Sequence, residues 1–428
     1  MQQLENGQVN APGNILIGEA HHFLDPGFKL GATYKINGRN HLKLNALAET
    51  RAPYARDAYI SQRVHDRMVE TIYTHDQAKS LKDFYAASEK VVSADLSYEF
   101  NYPIVRGRVT GFFTQSWDGT ELNGYYDDEA RTFVDQALSG IDKRYMGVEA
   151  AIAVKLGTYF TLTGVASVGD YRYTSDAVSI TSAENGMPMT QDLSTKELIF
   201  ETRDKVLLKG LKLSTGPQAN ASLKLSFFHP KMWFADVTVN YHDWNYLSVA
   251  PSRRMQGLYT GKRMDGTDVN GWFGDINANA IQTTDGQLLR VSVDTDPSSA
   301  TYGQAIYENA VMDANGVPVL KYPFNIMTMQ ESLAATNPLN RFLIDVSVGK
   351  LIYLPNRQSL SINLSVTNLG NNTHFKTGGY QQARLPRSVR QGEADYQNSV
   401  ITANAWKYPS KYYYAWGANF FLSVTYKF

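Results

Sequence analysis

Apolar and polar residues alternate strictly over stretches of about nine to fourteen residues, again and again along this chain. That period-2 pattern constrains the fold more than any other feature, because successive side chains of a strand point to opposite faces. In the closing "FFLSVTYKF", Phe420, Leu422, Val424, Tyr426 and Phe428 share one face, and Phe421, Ser423, Thr425 and Lys427 share the other. "FKLGATYKI" sets Phe28, Leu30, Ala32 and Tyr34 against Lys29, Gly31, Thr33 and Lys35. "HLKLNALAE" and the run from Val92 to Phe100 behave alike, and "MGVEAAIAVKL" sets Met146, Val148, Ala150, Ile152, Val154 and Leu156 against Glu149 and Lys155. Further strands are expected near 107–117, 159–170, 218–227, 232–246, 341–352, 358–368 and 412–428, which makes roughly eleven. Globular strands average about 5–6 residues, whereas a tilted strand crossing a bilayer needs about 9–11.

Charge placement agrees with a sheet of two unlike faces. Lys29, Lys35, Lys43, Glu49, Asp95, Glu99, Arg108, Glu149, Lys155, Lys224, Asp236, Asp345 and Lys427 all fall on the polar side, with Asp170 as an exception at a strand end. A cation facing lipid at mid-bilayer costs roughly 2–4 kcal/mol, so a membrane barrel segregates charge in this way. A soluble sandwich does so too. The connections separate the two better: short turns ("NGRN", "YPIVRG", "GT", "FHPK", "LPNR") alternate with long segments near 51–87, 118–142, 172–213, 247–338 and 369–411. That rhythm is expected of an up-and-down transmembrane barrel with tight turns on one side and large loops on the other. Trp117, Tyr159, Phe160, Trp233, Tyr241, Tyr353, Tyr412 and Trp416 lie near strand ends, where interfacial girdles would fall.

Composition excludes several classes. Lys+Arg and Asp+Glu are both 41, so no net charge points to nucleic acid. With no cysteine there is no disulfide framework, thiolate nucleophile or cysteine metal site. No stretch approaches the ~18 uninterrupted apolar residues of a membrane helix, which leaves a β-barrel open. "MQQLENGQVN" has no basic start followed by an apolar run, hence no signal peptide pattern. If the strand at 28–36 runs inward and each strand reverses the last, the eleventh also runs inward and places Phe428 on the periplasmic side. An odd antiparallel set does not close on itself in the usual even-stranded way, so half a barrel is expected.

"SVTNLGNNTHFKTGGYQQARLP" followed by "PSKYYYAWGANFFLSVTYKF" resembles the end of a TonB-dependent outer-membrane receptor. There a penultimate strand runs into an Asn-Leu-x-(Asn/Asp) motif, here Asn368, Leu369, Gly370 and Asn371, with Gly370 where an aromatic is usual. The stretches Glu49 to Ser61 and Asp127 to Glu149 look like loop and strand entries of the same family. The resemblance implies a 22-stranded barrel with an N-terminal plug and a box engaged by TonB. It makes residues 1–428 the C-terminal part of the barrel domain, without plug, TonB box or signal peptide. It also implies an outer-membrane location, lipid and the barrel-assembly machinery as partners, and a small-molecule or oligosaccharide ligand. TonB would be reached only through a plug that this chain lacks. The terminal face of Phe420, Leu422, Val424, Tyr426 and Phe428 then serves as the barrel-assembly signal. Siderophore, cobalamin and oligosaccharide all remain open as ligands.

No catalytic constellation is legible, so no enzyme and no cofactor are expected. "GLYTGKR" (Gly257 to Arg263) is one residue short of a phosphate loop and has Arg263 in place of Ser/Thr. His21 and His22 are adjacent and would point oppositely on an extended chain. "MDGTDVNGWFGD" (Met264 to Asp275) lacks EF-hand spacing. Tyr259, Trp272, Phe273, Arg253 and Arg254 could grip a ligand from the long loop 247–338, or pack and solvate it. Three readings compete: barrel wall of an energised nutrient importer, a barrel-anchored surface binding or adhesion protein without transport, and a soluble all-β module.

Overall fold

The structure, a computed structural model, describes residues 23–53, 88–127, 132–184, 188–191, 198–199, 201–257, 330–383, 400–402 and 410–428, with short pieces between 263 and 321. Thirteen strands form the main sheet. In chain order they are β1 (Gly27–Lys35), β2 (Asn40–Arg51), β3 (Glu89–Asn101), β4 (Val105–Asp127), β5 (Thr132–Leu156), β6 (Phe160–Tyr173), β7 (Ala177–Ala183), β8 (Glu201–Val206), β9 (Ala219–His229), β10 (Trp233–Asp243), β11 (Phe342–Tyr353), β12 (Ser359–Thr367) and β13 (Asn419–Lys427). Eleven of them follow one another across the sheet in the order β1-β2-β3-β4-β5-β6-β9-β10-β11-β12-β13. Every neighbouring pair is antiparallel. This is the all-β, eleven-strand wall expected from the alternation, and each expected strand has its counterpart.

The five short turns expected from the sequence all lie at one end. At Asn37–Arg39 the Asn37 side chain accepts the Arg39 and Asn40 amides at 2.9 and 3.0 Å, which closes the β1–β2 hairpin. Between β11 and β12 the turn places Asn356 and Arg357 at φ 62° and 64°, the paired left-handed geometry of a tight hairpin. Gly157, at φ 76°, reverses β5 into β6.

Two expected boundaries are corrected. Residues 118–127 and 132–142 are not loop: they extend β4 and β5, strands of 23 and 25 residues that stay paired with each other. Register shifts between Ser116 and Glu121 re-aim the hairpin. Its β5 arm continues because β7 pairs Ala183 to Val178 with Val134 to Ser139, and β8 pairs with β7. The terminal segment 412–428 is not one strand either. Lys411–Tyr414 pairs with Lys376–Tyr380 in a separate ribbon, and β13 begins only at Asn419.

The apolar core lies in that extension. Leu138, Ile141, Ala177, Val206, Leu208 and Leu211 are buried together, with Tyr173, Val249 and Met255 packed against them. Below this level the sheet is a single layer: β1 and β13 are exposed almost throughout. No helix is long and apolar enough to cross a membrane among the described residues.

Candidate functional site

Register carries the alternation of each strand across the whole sheet. One ladder joins Tyr34, Leu42, Tyr98, Val109, Ala150, Ala166, Ala221, Tyr241 and Phe342. Another joins Val105, Val154, Leu162, Leu225, Val237, Val346, Val366 and Phe420. A third joins Leu156, Phe160, Phe227, Ala235, Val348, Leu364 and Leu422. Directly opposed residues share a face, so one side of the sheet is an uninterrupted apolar surface. Its side chains do not form a core: Val148, Leu223 and Leu422 are 53%, 52% and 62% exposed. Contiguous exposed apolar area on this scale marks an interaction surface.

The apolar face ends at polar rims. On the long-connection side, Gln115, Arg144 and Arg172 are successive partners, and Arg172 bridges to Lys212. Asp170 sits among the cations there, accepting from Arg144 at 3.2 Å, from Arg172 at 2.9 and 2.8 Å, and from Lys212. The expected exception of Asp170 is therefore part of a charged rim. On the tight-turn side, Lys350 holds its ammonium 4.4 Å from the Trp233 ring centre. Lys350 is a further charge on the apolar face that the alternation alone did not single out.

The opposite face carries the hydrogen-bonding groups. Lys43 pairs with Glu99 at 2.7 Å and Lys224 with Asp236 at 3.2 Å. Ser97 and Thr110 bond at 2.8 Å, Asn45 and Asp95 at 3.0 Å, and Ser347 and Asn363 at 2.9 Å. A depression of about 250 Å³ opens on this face, with Arg108 and Glu149 at one flank and Asn240 and His242 at the other. Its floor is made by small residues on β5, β6 and β9, among them Ala151, Ser167 and Ser222. The His242 ring is fixed by Asn220 at 2.7 Å, and Asn240 by Asp345 at 2.8 Å. Glu149 and Arg108 are exposed. The depression offers amide, hydroxyl and charged groups for binding a polar solute. Among the described residues no group of three or more His, Cys, Asp or Glu side chains is arranged to hold a metal.

The Asn-Leu-Gly-Asn motif forms the corner between β12 and the last strand. Asn368 and Asn371 adopt φ 51° and 48°. Asn368 is buried, and its amide donates to Asp345 at 2.9 Å. Its side-chain nitrogen donates to the Asn372 and Trp416 carbonyls at 3.0 and 2.7 Å, while its oxygen accepts the Asn372 amide at 2.9 Å. Asn371 accepts the Ala418 amide at 3.0 Å, one residue before β13. Leu369 is half exposed, and its amide donates to Ile344 at 2.7 Å. The two asparagines thus tie β11, β12 and the entry to β13 together. Phe420, Leu422, Val424 and Tyr426 pair with Val366, Leu364, Ile362 and Leu360 on the apolar face, and Phe428 follows the strand.

Of the two readings left open for Arg253 and Arg254, gripping a ligand or packing the loop, the structure shows packing. Both are buried in the short 3₁₀ turn Pro251–Arg254, where Arg254 donates to Gln381 at 2.5 Å. His21, His22, Tyr259, Trp272, Phe273 and most of 257–275 lie outside the described residues. Sequence reading missed Gln330, whose amide side chain joins Lys212 and Leu247 across connections far apart in the chain. Tyr412, expected only as a strand-end aromatic, donates to Glu331 at 2.9 Å, a contact the sequence did not announce. Burial and that carboxylate raise the Tyr412 phenol above its ordinary pKa. Neither contact has a local pattern that could announce it.

No protein-family model and no curated protein matches this chain. Solved structures similar to it include the following three. P. aeruginosa FpvA in complex with a heterologous pyoverdine and iron is 10% identical, with a TM-score of 0.39 over 92% of this chain and 32% of that one. The copper transporter OprC is 10% identical, with a TM-score of 0.42 over 92% and 39%. The P. putida toluene transporter TodX is 8% identical, with a TM-score of 0.29 over 79% and 66%. The chain spans about a third of the length of the first two.

Proposed function

We propose that this chain is barrel wall of an outer-membrane receptor or transporter, with its apolar face in lipid and its polar face toward a water-filled or plugged lumen. The continuous apolar surface across eleven strands, with ion pairs confined to the other side or to the rims, carries this reading. The strands that bear it are 9–13 residues long or, in β4 to β6, longer, which suits a tilted crossing of the bilayer. β1 and β13, at the ends of the strand order, have no further partner among the described residues; in lipid such edges must be covered, so the wall is completed by other strands. The long connections then form the outer surface, and the terminal strand with its exposed Phe428 serves as the signal read by the assembly machinery. TonB-energised uptake of a small molecule or oligosaccharide is the finer reading, resting on the resemblance of residues 366–428. In it the polar-face depression beside Glu149 and His242 is the first candidate contact for the solute.

Fractionation tests the reading. The chain, expressed with its natural flanking sequence, is expected in the outer membrane with heat-modifiable gel migration. Recovery as a soluble monomer would refute it.

A further inference from the structure

The rim of the apolar face carries a charge arrangement that the barrel wall itself does not need. Arg144 on β5, Arg172 on β6 and Lys212 stand side by side across three neighbouring segments, all on the apolar side of the sheet. Three cations meet one carboxylate, Asp170, which leaves two positive charges in excess. Their side chains stay reachable, at 31%, 36% and 26% exposure. The Arg144 Nε, in contrast, is buried with no hydrogen-bond partner among the described residues. Directly beneath lie Met146, Val148 and Val168, each exposed and apolar. Trp117, on the same face of β4 two residues beyond Gln115, the partner of Arg144, adds an aromatic of the kind that sits among headgroups.

From this juxtaposition we infer that the Arg144–Arg172–Lys212 rim is a binding site for the phosphate of a lipid headgroup, with the lipid's acyl chains lying along the apolar face below. The inference rests on the lipid-facing reading of that side given above. Guanidinium groups present planar forks matched to phosphate oxygens, and a lysine adds a mobile point charge. A bilayer boundary at this rim brings headgroup phosphates to the level of the cations. The ladder geometry also explains why three cations share one acid: Asp170 spaces them and limits their mutual repulsion when no lipid is bound. Lys212 is held by more than charge, since its backbone is clasped by Gln330 at 2.6 and 2.7 Å and its ammonium lies 6.0 Å from the Tyr246 ring.

The test uses the full chain, with its natural flanking sequence, refolded into vesicles of digalactosyldiacylglycerol, a phosphate-free host. Bisphosphorylated lipid A or its dephosphorylated counterpart is added, and the lipid retained through detergent exchange is measured. The expected result is preferential retention of the phosphorylated form, reduced roughly a hundredfold in the Arg144→Gln, Arg172→Gln, Lys212→Gln variant. Asp170→Asn, which keeps all three cations and removes their counter-charge, is expected to raise retention severalfold; it also covers the case of a triple variant that fails to fold. Equal retention of both lipid forms, or displacement of lipid A by inorganic phosphate alone, would overturn the lipid-phosphate site. Vesicle flotation without either additive separates the two readings: a chain that does not float refutes the lipid-facing wall, whereas one that floats without discriminating refutes only this site.

Discussion

At the scale of single residues, the corner motif and one glycine carry the sharpest consequences. Asn368 holds a left-handed backbone and joins three segments through one side chain, so Asn368→Ala loses buried hydrogen bonds and meets backbone strain together. Each of those effects is worth about 1–3 kcal/mol, and a loss of roughly 2–4 kcal/mol is expected in urea unfolding from vesicles. Leu369→Ala, at a half-exposed position whose bond comes from the backbone, is expected to stay within about 0.5 kcal/mol. If the two variants unfold alike, the corner is not held by Asn368. Gly349 is the second case. The Phe234 ring lies across it on the polar face, where an added Cβ would overlap both the ring and the Ile362 carbonyl. Gly349→Ala is expected to displace Phe234 and destabilise the β10–β11 pair by about 1–3 kcal/mol, measured in the same unfolding assay.

Among elements, the long hairpin β4–β5 divides into two physical regimes. From Met146 to Leu156 the apolar side of β5 faces outward; from Val134 to Ile141 the chain is buried in the cluster around Leu138. Lysine at Val148 is therefore expected to cost roughly 2–4 kcal/mol of folding stability in bilayers. Lysine at Ser167, on the polar face of the adjoining strand, should be nearly silent. Leu138→Ala should cost about 2–5 kcal/mol through a cavity, in bilayer and detergent alike. A Val148→Lys variant as stable as wild type in vesicles would place that face in water. These two regimes also mark what the sequence could reveal. The strands that no second layer covers, such as β1, β9 and β13, keep clean alternation and were legible from it. The upper part of β5, "TFVDQALSGID", packs both faces and loses the period, so it read as a loop. The rim cluster escaped for another reason: Arg144 breaks the alternation at the middle of β5, where its two regimes meet, Arg172 breaks it at the end of β6, and Lys212 joins them through a bridge across 40 residues of chain. Asn368 was found by motif, but its partners Trp416 and Asp345 depend on tertiary contacts.

For the molecule as a whole, the central matter is which surroundings each face of the eleven-strand wall meets. β1 and β13 run in the same direction, because ten antiparallel steps separate them along the sheet order. Direct closure of one on the other would thus be parallel, unlike every other pair in the wall, which agrees with completion by further antiparallel strands. The absence of cysteine makes the decisive measurement clean, since a single introduced thiol is the only labelling site in the chain. Single cysteines placed one at a time from Met146 to Leu156 carry an environment-sensitive fluorophore, in vesicles whose lipid tails bear a quencher. A period of two is expected, with strong quenching at 146, 148, 150, 152, 154 and 156 and little at 147, 149, 151, 153 and 155. Uniform weak quenching, or the opposite phase, would contradict a wall that meets lipid through its apolar face.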